Sequence, residues 1–292
     1  MFDDTKHDLH LNRALGRFEQ GNDFLLLHAA ADMVERLSAV KLEFETAVTL
    51  FCRTPGVVDL FQSSNQIKQL MRVEERRHLG VADKIATPDH LRLEEQSVDL
   101  VLAPLTLHWS NDLPGSLIQI LRSLRPNGLM LATLPGPDTL IELRQSLLQA
   151  EAEITGGAAN RIDPFTDIRD AGGLLQRAGF SLPVVDQELL TVRYDTALDL
   201  IRDLRRFGAT SHLAKQPTDA TIPALNRAII ARMVEIYADR FSDADGRIRA
   251  SFSLISLSGW SPHESQQKPL RPGSAKSRLA DALNVEEVKL KR

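Results

Sequence analysis

The residues of this chain that could do chemistry stand directly after predicted strands. His108 and Trp109 follow the apolar run 98–103, and open α/β sheets bind ligands at the carboxyl ends of their strands. An imidazole and an indole there could line a substrate pocket. Both side chains could equally be structural, and the sequence does not favour either role. For Asp112 we prefer an N-cap of the following helix to a catalytic role.

Other reactive side chains lack the partners that chemistry would need. Cys52 is the only cysteine, and no base stands near it in the sequence, so we interpret it as a small buried residue. His263 and Glu264 do not form a metal motif, because no second ligand pair stands at a usable spacing. The sequence also has no phosphate loop with lysine, no strand–elbow serine motif and no paired cysteines.

The segment 46–56 is informative because it lacks glycine where a cofactor loop would need it. A short β-branched run leads into a turn that carries Phe51, Arg53 and Pro55. Loops that bring their backbone close to a nucleotide-type cofactor use glycine, which has no Cβ and tolerates positive φ. Large side chains therefore stand where bare backbone is expected.

The elements that must position these residues alternate along the chain. One or two amphipathic helices are predicted within 11–42. Predicted strands cover 46–51, 68–73, 98–103, 129–134, 184–185, 189–194 and 247–257. Predicted helices cover 56–64, 113–124, 137–154, 167–178, 196–207 and 222–240. Strands that alternate with helices predict βαβ crossovers and a parallel sheet covered on both faces.

Several motifs carry a resemblance to a known family. They are Asp99–Leu102, Leu107–Pro114, Leu124–Gly128, Asp138–Arg144 and Gly259–Pro269. With them the chain resembles the class I S-adenosylmethionine-dependent methyltransferases. More narrowly, it is similar to the branch of mitochondrial complex I assembly factor 5 and its alphaproteobacterial relatives.

The resemblance implies an α/β fold with a doubly wound, mostly parallel, seven-stranded Rossmann-like sheet. N-terminal helices would occupy residues 1–45 and the methyltransferase-like domain residues 46–258, with a helical insertion before its last strand. Residues 259–292 would form a C-terminal tail, which the composition of 259–277 places on the surface.

The family places an acid and three glycines in the loop after the first strand. By position, this chain has Thr49 for the acid and Phe51, Arg53 and Pro55 for the glycines. The resemblance therefore implies obstruction where the methionine part of S-adenosylmethionine would lie. It also implies a set of cofactor-contacting positions, which are Leu50, Cys52, Glu74, Leu105, His108 and Trp109.

An acid at the end of the second strand would bind the ribose hydroxyls of the cofactor, as in dinucleotide sites. Glu74 or Glu75 could do so, and Asp89 is a weak match to a third family acid near the adenine. The alternative for the glutamates is a solvated mixed-charge run with Arg76 and Arg77, which is the preferred interpretation.

Two functions follow from the resemblance. The first is an S-adenosylmethionine-dependent methyltransferase, in a branch whose mitochondrial member is associated with arginine hydroxylation on a complex I subunit. The second is a non-catalytic, degenerate methyltransferase fold that acts as an assembly or scaffold factor for respiratory complex I. Both would involve a protein substrate or partner.

Bulk properties exclude other classes. The formal net charge of −4 does not favour a nucleic-acid surface. No apolar run approaches the ~20 residues that cross a bilayer. The first ten residues read neither as a signal peptide nor as a transit sequence, and one cysteine fits a reducing compartment. These features predict a cytoplasmic protein.

Overall fold

The computed structural model describes residues 1–214 and 225–267. Met1–Pro262 form one compact unit. Of the second unit, residues 263–267 are described, and there His263 Nδ1 and Ser265 Oγ hydrogen-bond at 2.8 Å. Among the described residues no helix is both long and apolar enough to cross a membrane.

A single sheet of seven strands, in the order β3-β2-β1-β4-β5-β7-β6, forms the centre of the first unit. The strands are β1 Phe44–Leu50, β2 Ile67–Glu74, β3 Lys84–Ile85, β4 Val98–Pro104, β5 Leu124–Pro135, β6 Ser181–Tyr194 and β7 Ile248–Trp260. The first five run parallel, and β7 pairs antiparallel with both β5 and β6. The predicted doubly wound, mostly parallel sheet is confirmed.

Eight α-helices within the described residues flank the sheet. They are α1 Asp4–Leu15, α2 Phe24–Ser38, α3 Pro55–Gln62, α4 Leu113–Ser123, α5 Ile141–Thr155, α6 Ile168–Ala178, α7 Ala197–Arg206 and α8 Arg227–Phe241. The Asp112 carboxylate accepts a hydrogen bond from the Gly115 N–H at 2.9 Å, so the predicted N-cap of α4 is confirmed.

Both faces of the sheet are buried, because side chains of parallel strands alternate between two helical layers. On one face Val48 and Val101 pack with residues of α4 and α6, including Ile120 and Leu175. On the other face, α2 and α3 pack against a cluster that includes Ala47, Leu100, Met33 and Phe61. A third cluster joins α5, α7 and α8 to β7. This cluster includes the helical insertion before the last strand, which contains α7 and α8, and the residues that pack against it.

Three details differ from the sequence-based expectation. β3 was not predicted, because two residues carry too little periodicity. β6 is one strand of 14 residues where two short strands were expected. Gly259 and Trp260 end β7 rather than begin a surface tail, and residues 268–292 lie outside the described part. The division at residues 45 and 258 remains a proposal.

Candidate functional site

The chain leaves β1 through a curled loop made without glycine. Phe51 has a φ of 58° and Arg53 a φ of 62°, in the left-handed region that costs an L-residue roughly 1–2 kcal/mol. The Phe51 N–H donates to the Val73 carbonyl at 2.8 Å, and the Arg53 carbonyl accepts from the Leu79 N–H at 2.7 Å. The loop therefore follows a backbone path suited to glycine while it carries two large side chains.

Of the three expected obstructions, only Arg53 reaches the open side of the loop. The Phe51 side chain is fully buried in the core cluster that contains Leu91 and Leu107. Pro55 begins α3 and is exposed. Arg53 instead lines a large cavity. The expectation for Phe51 and Pro55 is thus corrected, because the apolar ring turns into the core and the proline serves as the first helical residue.

The Arg53 guanidinium lies between the loop and the turn that follows β4. Its Cζ is 4.3 Å from the centroid of the Trp109 ring, a cation–π contact. Its Nη2 donates to Glu75 Oε2 at 3.2 Å, and 5% of the side chain is exposed. Arg53 therefore bridges the loop after β1 and the turn after β4. We call Arg53, Glu75 and Trp109 the arginine clamp.

Glu74, at the end of β2, has its carboxylate oxygens engaged within the protein. They accept hydrogen bonds from the Arg53 N–H at 3.1 and 3.0 Å, and Oε1 also accepts from Arg72 Nε at 2.7 Å. The residue is fully buried, and burial raises the pKa of its carboxyl even though Arg72 opposes the shift. The preferred interpretation of Glu74 and Glu75 as a solvated run is wrong, since both are buried.

Helix α1 closes over the clamp from the N-terminal side. His7 Nε2 lies 2.7 Å from Glu75 Oε1, and the Met1 amino group donates to Asn111 Oδ1 at 2.9 Å. Burial would raise the pKa of Glu75, but Arg53 and His7 outweigh it and hold that pKa below its ordinary range. The carboxylate is therefore charged and binds the loop after β1 to α1.

His108 and Trp109 lie on a short 3-10 turn, Leu107–Trp109, directly after β4. Their ring centroids are 4.0 Å apart, and the Trp109 ring also lies 4.9 Å from that of His212 and 5.0 Å from that of His7. Both residues line the large cavity and are largely buried. Within the described residues, no group of three or more possible ligands is placed to hold a metal ion.

This cavity has a volume of about 1230 Å³, larger than the roughly 300–1,000 Å³ of common ligand pockets. Arg53, His108 and Trp109 line it together with aliphatic residues of several helices. Asp23 also lines it, but its carboxylate accepts a hydrogen bond from the Thr54 hydroxyl at 2.7 Å. The cavity can hold a large apolar molecule next to a cationic and aromatic wall.

The structure brings three of the six expected cofactor-contacting residues to this cavity. Leu105, His108 and Trp109 line it, whereas Leu50 and Cys52 are fully buried in the core. Burial raises the pKa of the Cys52 thiol well above its usual value, which fits the interpretation of Cys52 as a buried residue. Asp89 accepts hydrogen bonds from the Ser110 hydroxyl and the Asp112 N–H.

Sequence reasoning missed His7 and His212 as parts of the site. His7 is 68 residues from Glu75 along the chain, and its ring centroid is 4.9 Å from that of His212. No local pattern marks either residue, because His7 reaches the loops after β1 and β4 from α1 and His212 reaches them from the segment after α7. The paired glutamates were the one signal that could have been read as a buried ion-pair site.

Acidification is expected to weaken the fold through buried histidines. Burial, assisted by the Arg53 charge, holds the pKa of His108 well below its usual range, and burial also lowers the pKa of His212 although Asp163 opposes it. The unfolded state therefore binds more protons as the pH falls below about 6.5. The free energy of unfolding should decrease from pH 7.5 to pH 5.5, measured by urea denaturation at each pH.

The His108→Asn variant should show a shallower dependence on pH, by at most about 1.4 kcal/mol per pH unit. His263→Gln, at an exposed residue, should leave the slope unchanged. A free energy of unfolding that rises on acidification would contradict the assignment of neutral buried imidazoles.

Comparison with known proteins gives a matching family model, described as a methyltransferase domain, over residues 45–132. This region runs from β1 into β5 and contains the arginine clamp. The structure is also similar to that of the YcgJ protein from Bacillus subtilis, with a TM-score of 0.52 and 12% identity over 81% of this chain and 99% of that one. At that identity the likeness concerns the fold alone.

Several relatives carry the name arginine-hydroxylase NDUFAF5, mitochondrial. The protein from Dictyostelium discoideum is 42% identical over 190 residues, which are 65% of this chain and 42% of that protein. The human protein is 30% identical over 261 residues, covering 87% of this chain and 74% of that protein. The match thus spans less than half of the Dictyostelium protein. Both relatives are named as mitochondrial proteins, so the expectation of a cytoplasmic protein is wrong.

Proposed function

Because the chain belongs to the NDUFAF5 family of methyltransferase-fold proteins, we propose that it acts as an assembly factor for respiratory complex I without using S-adenosylmethionine. The fold provides the scaffold, and a fold by itself does not determine an activity. The observation that carries the proposal is the arginine clamp, which joins the ends of β1 and β4 through the buried Arg53 side chain.

The residues of the first loop do not fit a sulfonium cofactor. The Arg53 guanidinium lies where the cofactor would have to pass between the loop and Trp109, and it brings a positive charge towards a positively charged sulfonium group. Glu74, the acid suited to ribose hydroxyls, already accepts hydrogen bonds from Arg53 and Arg72. Thr49 stands in place of the acid that would meet the cofactor's ammonium group.

The clamp has a structural effect that suits a scaffold. Arg53 binds Glu75, and Glu75 binds His7 of α1, so one chain of contacts holds the N-terminal helix to the strand ends. A second contact joins the Met1 amino group to Asn111 in the loop after β4. A surface fixed in this way is preorganised to bind a protein, and preorganisation lowers the entropic cost of association.

S-adenosylmethionine is expected to leave the melting temperature unchanged at 1 mM. A ligand at 100 times its Kd would add about 2.7 kcal/mol to the native state, which for a protein of this size is a rise of about 5 °C. Differential scanning fluorimetry and isothermal titration of the full chain measure this. Saturable heat, or a rise of several degrees with S-adenosylmethionine, would overturn the proposal and favour the enzyme.

The assembly role is tested separately from cofactor binding. Deletion of the gene in the source organism should lower the amount of assembled complex I and its NADH:quinone oxidoreductase activity in membranes, and the wild-type chain should restore both. Affinity purification of the tagged chain from assembling cells should contain complex I subunits. Intact complex I in the deletion strain would contradict the role.

A further inference from the structure

An arginine-rich cleft adjoins the large cavity between α1 and α7. The cleft has a volume of about 1170 Å³, and five arginines line it, namely Arg13, Arg17, Arg202, Arg205 and Arg206. Glu19 is the one acidic residue in the lining. Five guanidinium groups around one carboxylate give this cleft a net positive charge, which favours an anion.

Most of these guanidinium groups are not neutralised by acids. Arg202 pairs with Asp199 one turn earlier on α7, and Arg206 lies 3.5 Å from Asp203 and 3.7 Å from Glu19. Arg13, Arg17 and Arg205 form no ion pair with any residue in 1–214 or 225–267. Within the described residues these guanidinium groups have no acid partner, and the planar guanidinium group suits phosphate oxygens in particular.

The cleft and the cavity are neighbours that share part of their lining. Ala14, Phe18, Arg205, Arg206 and Thr210 line both. Away from these shared residues much of the cavity lining is aliphatic, with side chains from five helices, namely Leu15, Leu26, Leu143, Leu147, Ile201 and Met233, and polar residues such as Lys6, Asn22, Asn160 and Asp163 complete it. The aliphatic part of the lining offers no hydrogen-bond partner to a polar group and favours a hydrocarbon chain.

We infer that the cavity and the cleft together form one binding site for a single-chain amphiphile with a phosphate headgroup. The acyl chain lies in the aliphatic cavity, and the phosphate binds the arginines at its mouth. Other cations that line the cavity already have partners: Arg53 pairs with Glu75, Arg161 pairs with Glu151, and Lys6 Nζ donates to the Leu213 carbonyl. The headgroup therefore belongs in the arginine cleft, and the chain points towards the strand ends. The site does not depend on the proposed function.

The test compares three probes on the full chain by isothermal titration. Oleoyl lysophosphatidic acid, kept below its micelle concentration, is expected to bind with one-to-one stoichiometry. Inorganic phosphate, which is the headgroup alone, and oleoyl alcohol, which is the chain alone, should each bind at least about tenfold more weakly. Equal affinity for inorganic phosphate would show an anion patch only and would overturn the proposal.

Variants separate the two halves of the site. Arg205→Gln combined with Arg17→Gln should weaken lysophosphatidic acid by about tenfold or more. Arg169→Gln is the matched control, because Arg169 is exposed on α6 and forms no ion pair within the described residues. A loss of affinity as large in the control as in the double variant would contradict a localised headgroup site.

The chain half is tested by filling the cavity. Ile201 is half-buried on α7 and lines the cavity, so Ile201→Trp should weaken lysophosphatidic acid by about tenfold while inorganic phosphate binding stays unchanged. Phe18→Ala, at the shared wall and outside any helix, is a second variant whose folding is easier to preserve. Unchanged affinity of both folded variants would overturn the placement of the chain.

Discussion

Replacing Glu75 with glutamine is expected to lower the free energy of unfolding by about 3–5 kcal/mol, because it breaks a buried ion pair from one side. The glutamine has nearly the same shape but leaves the Arg53 guanidinium without its ion-pair partner where 5% of the arginine side chain is exposed. It also removes the charged acceptor 2.7 Å from His7. Urea denaturation followed by circular dichroism measures the change.

The matched control is an acid in an exposed ion pair. Glu45 lies 2.6 Å from Lys68 on the surface of β1 and β2, and 68% of its side chain is exposed. Glu45→Gln should leave the urea midpoint unchanged, because solvent screens such a pair. If Glu75→Gln were equally silent, the clamp would not be holding the crevice closed, and the case against the cofactor would lose its main support.

Replacing Phe51 with alanine is expected to cost about 3–5 kcal/mol of unfolding free energy. The ring is fully buried in the core cluster between the sheet and α4, and its removal leaves a cavity that the surrounding side chains close only in part. Thermal or urea unfolding measures the loss, and the fluorescence of a tryptophan in the clamp, Trp109, reports on the neighbouring site.

Phe51→Gly separates the cost of losing the buried ring from the cost of the left-handed backbone at this position. Both variants lose the ring, but only glycine adopts a φ of 58° without strain. Although glycine has more entropy in the unfolded chain, the glycine variant should be more stable than the alanine variant by roughly 0.5–1 kcal/mol. The opposite order would mean that the loop relaxes out of the left-handed conformation when the ring is removed.

These two positions explain how a cofactor-type loop can persist with large side chains. At Phe51 the burial of the ring in the core offsets the cost of the left-handed backbone conformation. At Arg53 a buried ion pair and the contact with Trp109 offset the same cost. Reversion of Arg53 to glycine alone would leave Glu75 with His7 as its only ion-pair partner among the described residues.

The local pattern of residues determined most of the fold. β-branched and apolar runs marked the strands β1, β2, β4 and β5 within a few residues, and Asp112 marked the start of α4. The alternation of these elements fixed a parallel sheet, since a parallel strand pair needs a crossover helix. The missing glycines also marked the first loop as altered.

Only the tertiary structure decided which altered residue matters and what it does. Phe51, Arg53 and Pro55 look alike as replacements for glycine in the sequence, yet one enters the core, one enters the crevice and one begins a helix. Likewise, Glu75 looked solvated because its charged neighbours in sequence suggested it, whereas its partners Arg53 and His7 are 22 and 68 residues away. Burial and ion pairing depend on such distant contacts, which local periodicity does not encode.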